Sequence, residues 1–246
     1  MQLTVLGHWG AYPEAGEATS GYLLEHRGRR ILLDCGSGVL SVLQNELALH
    51  ELDAVFISHQ HYDHIADLGC LQYACLIDTD LGKRTEPLPI YVAEPSEGAG
   101  TPACRTMKGS VILPVGAGDS LELYGLKFEF FRTFHEVYCL GCKITDGQAA
   151  LVYTADTYYD ESLIGFCEGA NVLVAETSFY ADFQNARNYG HMNSAEVGYL
   201  ASQAKAETVV LTHLPHFGDR TELIKEVKRH YGGEVILAAK GLKLPL

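Results

Sequence analysis

The chain has 246 residues, 47% of them apolar, enough for one large domain over residues 1–246 with a substantial core. Its net charge of −13, with scattered Lys and Arg, disfavours long-range attraction for nucleic acid. No apolar run reaches membrane length and no basic-then-apolar stretch follows Met1, so the expectation is a soluble, cytoplasmic protein with no membrane partner.

The first strand is read at Leu3–Leu6. Two more follow, from Ser20 to Glu25 and from Arg30 to Asp34, joined as a hairpin near His26-Arg27-Gly28. Gly36-Ser37-Gly38 then turns into a helix over about Val39 to Leu49. The apolar run Asp53 to Ser58 reads as a buried strand, and a helix is expected from about His64 to Leu76. Residues 82–110, rich in Gly, Pro and Glu, read as a surface loop placed to cover a site, with one strand at Leu88–Val92.

Closely spaced strands come next, at Ser120–Tyr124, Lys127–Thr133, Tyr138–Thr145 and Ala149–Thr154. The pattern then alternates: helix Glu161–Phe166, strand Val172–Ala175, helix Ser194–Lys205, strand Thr208–Leu211, helix Arg220–His230, strand Glu234–Leu237. Two strand-rich halves of this kind fit two sheets face to face with helices on both outer faces, a four-layer αββα sandwich of the α/β class.

Seven cysteines, an odd number in mostly apolar settings, point to reduced thiols. Cys139-Leu140-Gly141-Cys142 lies in a strand, where positions i and i+3 face opposite ways, and no second C-x-x-C completes a zinc site. Both are read as buried core residues.

The chemistry concentrates at His59-Gln60-His61-Tyr62-Asp63-His64, directly after a buried strand, where α/β folds gather their ligand sites. Imidazole and carboxylate ligands suit zinc, manganese and iron. So short a segment cannot wrap one tetrahedron, so the ligands are divided: His59 and His61 to one ion, Asp63 and His64 to a second. Further ligands are expected just past β-runs, at His135, Asp156 and His213. Asp156 has the two oxygens and short stem of a bridging carboxylate. Two ions ~3.5–4 Å apart share a hydroxide and clamp a phosphoryl or carbonyl oxygen.

The ordered set His59-x-His61-x-Asp63-His64, His135, Asp156, His213 resembles the metallo-β-lactamase superfamily, over essentially the whole chain. The resemblance implies the αββα fold, with His59, His61 and His135 on one metal, Asp63, His64 and His213 on the other, and Asp156 between them. Within the superfamily, Val172 to Phe179, Gly190-His191-Met192-Asn193-Ser194-Ala195-Glu196 and Leu211-Thr212-His213 resemble the ribonuclease Z-like phosphodiesterases. That branch implies a Glu176–His191 dyad in which His191 protonates the leaving oxygen. A carboxylate partner fixes the tautomer of an imidazole and makes it a competent acid near neutrality. Asp34 matches the family's aspartate that orients a ligand histidine, and Gly36 and Gly38 permit close backbone approach.

One departure limits the resemblance. Only two strands and a turn separate His135 from Asp156, which leaves no room for the family's tRNA-clamping arm. Structured tRNA is therefore disfavoured as a partner, and a small-molecule or short phosphodiester substrate is expected. The leading reading is a dinuclear zinc phosphodiesterase (manganese or iron being alternatives) with a metal-bridging hydroxide, Asp63 as proton acceptor and His191 as general acid. The alternatives are a lactone or thioester hydrolase on the same metals, and a non-catalytic metal-dependent binding protein. The resemblance also implies a homodimer. His8-Trp9-Gly10 and Leu214-Pro215-His216-Phe217 are read as lining the mouth of the site.

Overall fold

The computed structural model describes residues 1–94 and 104–246. The middle of the expected surface loop, residues 95–103, lies outside the described residues. The chain divides into two compact units: Met1–Gly116 with Ala239–Pro245, and Ala117–Ala238 with Leu246.

The first unit is built on seven strands: β1 (Gln2–Gly7), β2 (Gly21–His26), β3 (Arg29–Leu33), β4 (Ala54–Ile57), β5 (Leu88–Ala93), β6 (Ser110–Val115) and β14 (Lys243–Pro245). They hydrogen-bond in the order β14-β1-β2-β3-β4-β5-β6. The β14, β1, β2 and β3 pairings are antiparallel, and those from β3 through β6 are parallel. The β2–β3 hairpin closes with Arg27 and Gly28 at φ 49° and 77°. This left-handed pair matches the twist of the strands it joins. Every residue of β4 is buried, which is why the strand reads as an unbroken apolar run.

The helices of this unit are α1 (Val39–Leu43), α2 (Tyr62–Ile65) and α3 (Leu68–Asp80). Two differences from the sequence reading have local causes. The helix expected to run to Leu49 stops at Leu43, where the Asn45 side chain donates to the Val42 carbonyl and competes with the helical ladder. The helix expected from His64 is split into α2 and α3. Cys35 N–H donates to the His64 carbonyl, and Cys35 C=O accepts from Asp67 N–H, so both groups leave the ladder at the join. The α1 and α3 side chains Val39, Leu43, Leu68, Leu71 and Cys75 pack with Leu6, Leu32, Val55 and Ile90 of the sheet in one buried cluster.

The strands β6 and β14 are additions to the sequence reading. Pro114 and Pro245 weaken the strand signal, and both strands lie at sheet edges, where a missing N–H is tolerated.

The second unit repeats the design with β7 (Ser120–Leu123), β8 (Leu126–Arg132), β9 (Leu140–Thr145), β10 (Ala150–Tyr153), β11 (Val172–Glu176), β12 (Thr208–Thr212) and β13 (Glu234–Leu237). Their order is β13-β12-β11-β10-β9-β8-β7. The strands β7 to β10 form an antiparallel meander and β10 to β13 run parallel. Helices α4 (Ser162–Cys167), α5 (Ser194–Gln203) and α6 (Arg220–Lys228) follow the parallel strands. A capping box starts α5: Asn193 accepts from Glu196 N–H, and Glu196 accepts from Asn193 N–H. Cys139 and Cys142 are fully buried and all seven cysteines are free thiols. No helix of the described residues is long and apolar enough to cross a membrane.

Candidate active site

Each unit carries a His/Asp cluster at the carboxyl ends of its parallel strands. In the first unit, β3 and β4 run side by side with Leu33 opposite Phe56, so Asp34 and Ser58-His59 emerge together. Asp34, Ser58, His59 and His64 are fully buried. Asp34 Oδ1 accepts from Ser58 N–H at 2.7 Å, and Oδ2 accepts from Ser58 Oγ at 2.8 Å. The same Oδ2 lies 2.7 Å from His64 Nδ1. Because the Ser58 proton is committed to Asp34, Ser58 Oγ accepts from His59 Nδ1–H at 3.1 Å. Both imidazoles are thereby held in the tautomer that leaves Nε2 as the metal-binding atom.

His59 Nε2 lies 3.2 Å from His61 Nδ1, so two donor atoms from one loop converge. Asp63 Oδ2 lies 3.7 Å from His64 Nε2 and accepts from Ala11 N–H at 2.9 Å. The turn is packed tightly beneath. A Cβ on Gly36 would sit 2.0 Å from the Asp63 carbonyl oxygen, so no other residue fits there. Asp34 itself has φ 58°, a left-handed conformation that Asp tolerates better than most residues.

In the second unit, the parallel register of β10, β11 and β12 brings Asp156, Glu176 and His213 to the same end. Ala155 and His213 take φ 50° and 52°, so the backbone turns sharply as each strand ends. His213 Nε2 lies 3.4 Å and His135 Nε2 3.9 Å from Asp156 Oδ2. The other nitrogens are again occupied. His135 Nδ1 donates to the Gly190 carbonyl at 3.0 Å. Ser178 Oγ donates to Glu176 Oε2 and accepts from His213 Nδ1–H, both at 2.8 Å.

Glu176 is 1% exposed and fully engaged. Its Oε1 accepts from His191 Nδ1 at 2.9 Å, from Thr157 N–H at 3.1 Å and from Met192 N–H at 3.2 Å. The His191 ring lies between two ligand-type rings, 5.2 Å from His135 and 5.0 Å from His213 by centroids. Glu176, His191 and His213 also offer ligand-type atoms within 4.8 Å of one another.

The donor chemistry therefore fits divalent metal ions. Four buried or half-buried imidazoles have Nδ1 tied to an acceptor and present Nε2 beside a carboxylate or another imidazole. The two serines that set two of these tautomers, Ser58 and Ser178, are not singled out by the sequence reading. Their signal is position: one hydroxyl directly before a ligand, the other two residues after a strand-end glutamate. Of the residues expected at the mouth of the site, His8, Trp9 and Leu214 are buried and Phe217 is exposed.

The beta-lactamase superfamily domain profile matches residues 29–214, and the chain belongs to this superfamily. It is a metallo-hydrolase with the metallo-β-lactamase fold, the αββα class read from the sequence. It is similar to a Bacillus subtilis (strain 168) protein described as probable metallo-hydrolase YhfI, 43% identical over 243 residues and covering 98% of both chains. The crystal structure of B. subtilis YhfI superposes with a TM-score of 0.93 at 40% identity, covering 99% of this chain and 98% of that one. Ribonuclease Z of Natronomonas pharaonis is 25% identical over 98% of this chain and 96% of its own length. The structure of a diphosphatase from the PhnP family shares the fold, with a TM-score of 0.78 at 19% identity, 100% coverage of this chain and 97% of that one.

Proposed function

We propose that this protein is a cytoplasmic dinuclear zinc phosphodiesterase acting on a small or short phosphodiester, with residues 1–246 working as one catalytic domain. His59, His61 and His135 would hold one ion, Asp63, His64 and His213 the other, with Asp156 bridging. The seven free thiols support a reducing compartment. The homodimer implied by family resemblance is part of the proposal, to be checked by sedimentation.

The observation that carries the reading is the Glu176–His191 pair, a buried carboxylate bonded to a partly open imidazole. A phosphodiester with an alkoxide leaving group needs a proton delivered as the P–O bond breaks. His191 Nδ1 is occupied by Glu176, so Nε2 is the atom that gives this proton. Glu176, held by backbone N–H groups and Ser178, orients the ring. Asp63 accepts the proton of the attacking water, its Oδ2 fixed by Ala11 N–H. Divalent ions held there would supply Lewis acidity toward the phosphoryl oxygens and would acidify that water. Lactone or thioester hydrolysis has no comparable need for a separate acid, and a binding protein has no need for the dyad.

Between His135 and Asp156 the chain forms only the antiparallel β9–β10 pair and its turn. This supports poor activity on tRNA precursors, as does the charge of −13. The deciding assay sets bis-p-nitrophenyl phosphate against a lactone and thioester panel, using zinc-reconstituted protein with elemental analysis. Two ions per chain and preferential diester turnover are expected. Faster lactone or thioester turnover, or one ion or none per chain, would overturn the reading.

A further inference from the structure

The segments that follow Glu176, precede His191 and follow His213 each carry aromatic residues, and these aromatics meet. Phe179 follows the Glu176 loop, Phe183 and Tyr189 precede His191, and Phe217 follows His213. Phe179 stacks on Phe183 at 4.3 Å between centroids with a 9° interplanar angle. Tyr189 leans on both, at 5.6 and 5.8 Å, and Phe217 lies 6.4 Å from Phe179. The Phe179 ring centroid is 6.3 Å from that of His191. Tyr189 is 59% and Phe217 54% exposed. A soluble protein rarely leaves such a contiguous aromatic patch in water without a use for it.

We propose that this ledge takes a planar aromatic ring of the substrate's leaving group, which for a biological phosphodiester means a nucleobase, and that Tyr189 and Phe217 determine this specificity. The proposal rests on the diesterase reading above and names its substrate class. Three features support it. The ledge adjoins the residue that protonates the leaving oxygen, so a ring seated there belongs to the departing alcohol. Stacking on an aromatic face is the general way proteins hold an unpaired base. The adjoining groove, about 520 Å³, is lined by Phe183 and Phe217 and by the carboxylates of Asp182, Asp219, Glu222 and Glu226. That volume is in the range of about 300–1,000 Å³ usual for small-ligand sites. Its net acidity, with Glu222 paired to Lys225, suits an uncharged nucleoside and disfavours a polynucleotide backbone. It also opposes a second copy of the chain, because a two-fold contact would set the same four carboxylates against themselves.

The test compares two singly charged alkoxide diesters, adenylyl-(3′→5′)-adenosine and bis-glyceryl phosphate, with the zinc-loaded protein. The base-bearing diester is expected to be preferred. Phe217→Ala and Tyr189→Ala should each lower its kcat/KM about 10- to 100-fold, mainly through KM, and collapse the preference. Phe217→Trp should retain it. Equal losses on both diesters would assign the ledge a structural role, and no loss would dismiss it. Saturation-transfer NMR with adenosine against ribose gives a readout without turnover: base-proton signals with the unaltered protein, weakened in Phe217→Ala. Turnover of bis-glyceryl phosphate with no base preference and no adenosine contact would end this proposal and leave the diesterase reading standing. Adenosine contact with no diester turnover would overturn the diesterase reading and, with it, the assignment of the ring to a leaving group. A change in oligomeric state in Phe217→Ala, with base preference intact, would reassign the ledge to self-association.

Discussion

His191 Nδ1 and Glu176 Oε1 are 2.9 Å apart, and the carboxylate of that pair is buried beneath a ring that remains partly open. The same Oε1 also accepts from the backbone N–H groups of Thr157 and Met192. The carboxylate thus positions both the imidazole and the loops that meet at it.

His191→Ala should lower kcat by ~10²–10⁴ on a diester with a poor alkoxide leaving group, with much less loss on p-nitrophenyl esters. Metal content should be unchanged by elemental analysis. Equal losses on both leaving groups would point to substrate positioning, and loss of an ion would make His191 a ligand of the group it forms with Glu176 and His213.

Glu176→Gln should be less benign than a simple loss of charge. With the amide oxygen facing His191, Thr157 and Met192, the amide nitrogen faces Ser178 N–H, leaving a buried donor opposed by a donor. A stability loss of about 1–3 kcal/mol is expected, read by denaturant unfolding, together with the same leaving-group pattern as His191→Ala.

Asp34→Asn keeps a residue that tolerates φ 58° but removes the anion that holds His64 Nδ1. Affinity for the ion assigned to His64 should fall about 10- to 100-fold in a zinc titration, with the other ion less affected. Equal weakening of both ions would mean that Ser58, which Asp34 also holds, matters as much through His59.

His59, His135, Asp156 and His213 are legible in the sequence because each stands one to three residues beyond an apolar strand, and His61, Asp63 and His64 follow His59 within one short segment. Strands β3, β4, β10, β11 and β12 deliver Asp34, His59, Asp156, Glu176 and His213 at the same carboxyl ends where the apolar runs stop. The features that are not legible are tertiary. The α2–α3 break depends on Cys35, distant in sequence, bonding to both sides of the join. Strand β6 owes its existence to pairing with β5 along its whole length, which overrides the weak signal of a segment containing Pro114. The aromatic ledge joins residues from three segments that meet only in the fold, so nothing in the sequence pairs Phe179 or Phe217 with Phe183 and Tyr189.

Gly190→Ala tests how closely the backbone supports a ligand. Gly190 has φ 74°, and a Cβ there would lie 2.6 Å from His135 Nδ1, the nitrogen bound by the Gly190 carbonyl. The substitution should shift His135, weaken the ion assigned to it and lower Tm. Gly28→Ala, also at positive φ but with open space around it, should lower Tm through strain alone and leave metal affinity intact.

The thiols give a prediction with a defined pH sense. Burial pushes Cys167 up to about 12 and Cys104 up to about 11, and raises Cys35 and Cys75, the negative neighbours Asp67 and Asp34 adding to the effect at Cys35. Cys70 alone is exposed. At pH 8 one thiol per folded chain should react quickly with a disulfide reagent, and all seven after denaturation. In the unfolded chain a cysteine ionises near pH ~8.5. Folded-state values above this mean that the native protein holds more protons, so stability is fully present below about pH 8.5. It should fall progressively as pH rises toward 12, where Cys167 ionises in place. Cys167→Ser should flatten part of that fall at the expense of stability at pH 7, because a hydroxyl replaces a fully buried sulfur. An unchanged alkaline slope in Cys167→Ser would assign the fall to the other buried thiols or to the tyrosines raised by burial, Tyr159 foremost at about 12.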